Sequence, residues 1–76
     1  MLWPMPFSDA AVAIAERHIA QARERIAQHR ELISRMEARG QSTELAHQIL
    51  ATFLSIFDGM VEHRDRLARA QAAHLP

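Results

Sequence analysis

The chain has 76 residues and no cysteine, and its nine acidic residues are balanced by nine basic ones, all of them arginine. These totals allow one small domain, exclude disulfides and thiolate metal sites, and leave no broad cationic field to gather nucleic-acid phosphates. A chain this short buries little surface and has no covalent staple, so oligomerisation is the expected route to stability.

The first segment, MLWPMPF at residues 1–7, is an apolar arm broken by Pro4 and Pro6. It has no positive leading region and does not read as a signal peptide. Residues 8–39 contain neither Gly nor Pro and predict helix 1. Ser8 or Asp9 is the expected N-cap; with Ser8 in that role, Phe7 and Val12 stand where a hydrophobic staple forms. Gly40-Gln41-Ser42 predicts a turn, with Gly40 in the left-handed position that ends a helix and Ser42 capping the next. Residues 43–73 predict helix 2, with Glu44 in its first turn near the positive end of the helix dipole. So short a connection makes the helices antiparallel neighbours. The expected fold class is all-α: an antiparallel two-helix hairpin forming a single domain over residues 1–76.

Periodicity assigns the faces. In helix 1, Val12, Ile19, Ile26 and Ile33 recur every seven residues, and Ala15, Ala22, His29 and Met36 follow each by three. That is an a/d seam. On helix 2 the matching seam is read as Ala46, Ile49, Phe53, Ile56, Met60, His63, Leu67 and Ala70. Small alanines on one helix then face bulky residues on the other, which allows close approach without voids. A second apolar stripe, Leu50, Leu54, Phe57 and Val61, lies about 100° further round helix 2. One partner helix cannot cover both stripes, and an uncovered one is an unusual patch. Trp3 and Phe7 reach only the part near the arm. The expected cover is a second hairpin, giving a homodimeric four-helix bundle, or a helix of a partner protein laid on the same residues.

The chemistry-bearing signals are few. EHRDRL, residues 62–67, begins like the catalytic loop of protein kinases. That loop requires an Asn five residues after its Asp, where this chain has Ala70, and no glycine-rich phosphate loop accompanies it. The hexapeptide therefore reads as a helix turn. Ser and Thr fall at caps or inside helices, with no Gly-rich loop to supply an oxyanion hole. Catalytic residues, bound cofactors and metal ligands are accordingly not expected.

The histidines are the remaining candidates. In a hairpin turning near residue 41, positions whose numbers add to about 82 face each other. His18 then lies opposite His63 and Arg64, with Glu16 and Glu62 within a turn. Two imidazoles and two carboxylates suit a divalent metal. The Glu-x-x-His spacing of bundle metal sites is absent, however, and the preferred reading is a half-buried histidine bonded to a carboxylate. A metal- or pH-responsive bundle through His18 and His63 is the alternative. His29, in the seam, reads as a polar residue that sets register.

Two segments, AERHIAQARERIAQHRELISRMEARG and ELAHQILATF followed by EHRDRL, resemble short uncharacterised two-helix proteins common in alphaproteobacteria such as the rhizobia. The resemblance covers roughly residues 14–67. It implies a helical hairpin and no established activity, so it carries no functional residues across. Residues 54–61 are more apolar here than is usual in that group.

Together these readings predict a non-enzymatic, cytoplasmic hairpin protein that acts by association, with no transmembrane segment: its most apolar stretch, residues 49–61, falls short of the roughly 20 residues a span needs. An RNA-binding hairpin dimer of Rop-like architecture is an alternative through Arg17, Arg23, Arg25 and Arg30, disfavoured because Glu16, Glu24 and Glu31 cancel much of their field. Peripheral membrane contact through Trp3 and Phe7 lacks the basic face such helices carry. All-arginine basicity fits a GC-rich genome as readily as it fits a function.

Overall fold

The structure, a computed structural model, describes residues 9–73. Two helices account for nearly all of them, α1 at Asp9–Ala38 and α2 at Glu44–Ala73. They pack against each other as an antiparallel hairpin, and no strand occurs among the described residues. The expected arm at residues 1–7, the staple from Phe7 and the cap at Ser8 lie outside the described residues.

The turn follows from one glycine. Gly40 has φ +70°, and the Gln41 N–H donates to the Met36 carbonyl at 2.9 Å while the Gly40 N–H donates to Glu37 at 3.0 Å. These are the paired bonds of a Schellman cap, which satisfies carbonyls the helix leaves orphaned. A Cβ at Gly40 would meet nothing within 4 Å, so the demand is conformational and not steric. Helix α2 starts one residue later than expected. The Thr43 carbonyl accepts the first helical bond, from the His47 N–H at 2.9 Å, so Thr43 rather than Ser42 occupies the N-cap.

Along α1 the inward line is Val12, Ala15, Ile19, Ala22, Ile26, His29, Ile33 and Met36. All eight are buried or half-buried, and Ile19 is the most enclosed at 3% exposure. Along α2 the inward line differs from the expected seam. Ala46 is buried, and Leu50, Phe53, Phe57, Met60, Arg64 and Leu67 are half-buried. Ile49 and Ile56, expected in the seam, are instead 38% and 53% exposed, and His63 is exposed. The two lines share Ala46, Phe53, Met60 and Leu67 and diverge between them, so α2 is turned toward its Leu50–Phe57 side. Two cross-hairpin contacts accompany this rotation. The Arg23 guanidinium sits 5.6 Å from the centre of the Phe57 ring, and Arg64 reaches Glu16 across the hairpin at 3.5 Å. Turning Ile49 and Ile56 inward would break both contacts and expose an aromatic ring.

The result is a thin layer. Among the described residues no side chain is completely buried. The molecule measures 60 × 20 × 14 Å with a radius of gyration of 17.6 Å, against about 11 Å for a compact domain of this length. It exposes 6091 Å², whereas a compact monomer of 8.6 kDa exposes about 4700 Å².

Candidate association face

The hairpin has two flanks, one on each side of the plane of contact. The first carries Leu50, Leu54, Phe57 and Val61, the stripe expected to be open. All four are half-buried within the single hairpin. Polar groups strap this flank. Arg64 donates from Nε to Asp65 Oδ1 at 2.8 Å and from Nη1 to Glu16 Oε2 at 3.5 Å. Asp65 is thereby engaged by its sequence neighbour. The middle of EHRDRL is thus a cross-hairpin tie.

The second flank is the open one. Among the described residues the exposed large hydrophobics are Ile14, Leu32, Leu45, Ile49 and Ile56, and helix geometry sets all five on this side. Eighteen residues are five helical turns, so Ile14 and Leu32 share one direction on α1. Leu45, Ile49 and Ile56 follow one another on α2 at spacings of four and seven, also a single line. Between the two lines runs a shallow groove lined by His18, Ala22, Arg25, Phe53, Ile56 and Met60. The α1 line reads Ile14, His18, Arg25, Leu32; the α2 line reads Leu45, Ile49, Ile56, His63. Neither contains a carboxylate. The 4-7-7 spacing they share is the sequence signal for Ile14, Leu32 and Leu45, which lie outside the a/d seam.

His29 ties the turn end of the hairpin. Its Nε2–H donates to the Ala46 carbonyl at 2.8 Å, and its ring meets Phe53 edge-on at 5.3 Å and 74°. Since a carbonyl only accepts, this bond assigns the proton to Nε2. The bond joins mid-α1 to the first turn of α2, as a register-setting polar residue should. His18 and His63 are both exposed and on the open flank, whereas Glu16 lies on the other flank with Arg64. The half-buried, carboxylate-bonded histidine favoured by the sequence is not formed at this level, and the alternative, a convergence of two imidazoles with two carboxylates, does not occur within one chain either. Among the described residues no group of three or more His, Asp or Glu is placed to hold a metal ion. Thr52, on the rim of the open flank, donates its hydroxyl to the Gln48 carbonyl at 3.2 Å.

No family model matches this chain, and neither a curated protein nor a solved structure matches it. No helix among the described residues is long and apolar enough to cross a membrane.

Proposed function

We propose that this is a non-enzymatic association protein: it pairs with a second copy of itself through the flank of Ile14, Leu32, Leu45, Ile49 and Ile56, and the two hairpins form a four-helix bundle. One observation carries the reading. Among the described residues, all the large hydrophobic side chains left exposed stand on a single side of the hairpin, while the opposite flank is strapped by Arg23 and Arg64. Apolar residues scattered singly need no explanation, but a contiguous set marks an interaction surface. Area supports a partner of the same kind. The whole chain exposes about 1400 Å² more than a compact monomer of its mass, and a standard interface hides about 800 Å² from each partner. A second hairpin laid along the groove covers both lines at once, which a lone helix does not. On this reading the setting is the cytoplasm, in keeping with a chain that uses no cysteine.

Sedimentation equilibrium over a wide concentration range tests it. The expected result is a species of twice the chain mass at micromolar concentration. A folded monomer throughout overturns self-pairing and assigns the flank to a helix of another protein.

A further inference from the structure

The open flank is self-complementary in a way that selects one of two dimers. Cross-hairpin contacts set the levels: Glu16 meets Arg64, Arg23 meets Phe57, and His29 meets Phe53. Positions whose numbers add to about 81 therefore stand side by side, as antiparallel packing requires. On the open flank this makes layers of Leu32 with Ile49, Arg25 with Ile56, and His18 with His63.

Two hairpins can meet by this flank in two twofold ways. With turns at opposite ends, α1 lies on α1 of the second copy in reverse. The histidine layer then falls on the Leu32–Ile49 layer, and Arg25, near mid-height, meets its own copy. With turns at the same end, α1 lies on α2 of the second copy and every layer meets itself. Leu32 packs on Ile49, Arg25 extends its stem over Ile56, and His18 stands over His63. Burying an imidazole against aliphatic groups leaves its nitrogens without partners, and like charges in contact are unfavourable. The second arrangement avoids both.

We infer that the pairing brings both turns to one end and thereby gathers four imidazoles, His18 and His63 of each copy, into a site for a divalent transition-metal ion of the zinc class. The inference rests on the self-pairing proposed above. One copy supplies only two ligands, so the site is incomplete without the second. Imidazole suits this class of ion, and four nitrogen ligands complete the tetrahedral shell zinc takes in closed sites. The nearby carboxylates do not compete, because Glu16 and Asp65 are both held by Arg64 on the other flank.

The test uses the full chain with a nitroxide at Gln41→Cys, a unique label because the chain has no other cysteine. Mass is measured by sedimentation, label separation by pulsed electron resonance, and melting temperature with and without zinc chloride. The expected result is a dimer in chelator with labels within about 20 Å of each other, given an interhelical spacing of about 8–10 Å. Zinc should bind at one ion per two chains and raise the melting temperature by about 5 °C or more. His63→Ala should abolish that rise, and His47→Ala, away from the layer, should leave it intact. A dimer with labels about 45 Å apart, the length of a 30-residue helix at 1.5 Å per residue, overturns the arrangement and the site but leaves self-pairing standing. A same-end dimer that zinc leaves unchanged overturns the metal site alone. A monomer under all conditions overturns the self-pairing itself.

Discussion

Replacing Ile49 and Ile56 together by Glu tests the open flank directly. The two side chains are 38% and 53% exposed, so the hairpin already hides part of each. Complete burial of an isoleucine contributes about 1.5–3 kcal/mol. Their remaining exposed share, taken over both copies, therefore contributes about 4 kcal/mol to the dimer. At 1.4 kcal/mol per decade, the dissociation constant should weaken by about a thousandfold, and by more once the burial of four carboxylates is included. Glu is a good helix former, so the change does not act by disfavouring α2. Sedimentation equilibrium reads the outcome as mass, whether or not the lone hairpin keeps its full helicity. The companion variant, Leu54→Glu with Phe57→Glu, strikes the half-buried flank under Arg23 and should unfold the hairpin, with circular dichroism losing its helical signal. Association of the Ile49/Ile56 variant within tenfold of the parent would exclude the open flank as the interface. So would a Leu54/Phe57 variant that stays helical and becomes a monomer, since that would move the interface to the other flank.

Both glycines can be read by alanine substitution, with opposite signs in urea denaturation. Gly40→Ala should destabilise by about 1–2 kcal/mol, because φ +70° is the left-handed region that costs an L-residue about that much. Gly59→Ala should stabilise by about 1 kcal/mol, since Gly59 is helical with open space at its Cβ and Ala is the better helix former by that amount. His29→Ala removes a hydrogen bond and an edge-on ring contact, together about 2 kcal/mol; a loss below about 0.5 kcal/mol, the low end for one hydrogen bond, would show that it does not set register. Arg25→Leu fills the one charged position on the α1 line and should tighten the dimer about tenfold or more, at about 1 kcal/mol per copy; unchanged sedimentation would place Arg25 outside the interface.

The helices, the turn and the α1 seam were legible from spacing alone because each rests on local chemistry. A run without Gly or Pro, one glycine competent for positive φ, and a seven-residue repeat of β-branched residues each point one way. The rotation of α2 was not legible. Ala46, Phe53, Met60 and Leu67 fit two seams equally well, one completed by Ile49 and Ile56 and the other by Leu50 and Phe57. Hydrophobicity does not choose between them. The contacts that accompany the observed face, Arg23 over Phe57 and Glu16 with Arg64, join residues far apart in the chain and leave no mark in the spacing. The candidate site inherited that ambiguity: the apolar surplus on α2 was recognised in the sequence, and the structure puts it on the opposite flank.

That flank has a consequence for how the whole hairpin is built. In an antiparallel pair, the same-handed edge of each helix falls on the same side of the contact plane. The apolar line of α1, with Ile14 and Leu32, and that of α2, with Leu45, Ile49 and Ile56, therefore merge into one surface. Charged residues take the remaining exterior: Arg17, Glu24 and Glu31 on α1, Glu44, Glu62, Arg66 and Arg69 on α2, all exposed. Neither helix alone is simply amphipathic, because each must serve a seam and a flank. The hairpin as a unit is, with one apolar side and a charged periphery, and a layer with one apolar side is stable when a second layer covers it. The thinness of the molecule, 14 Å in its smallest dimension, and its lack of a fully buried side chain among the described residues express the same condition: one hairpin does not enclose its own core.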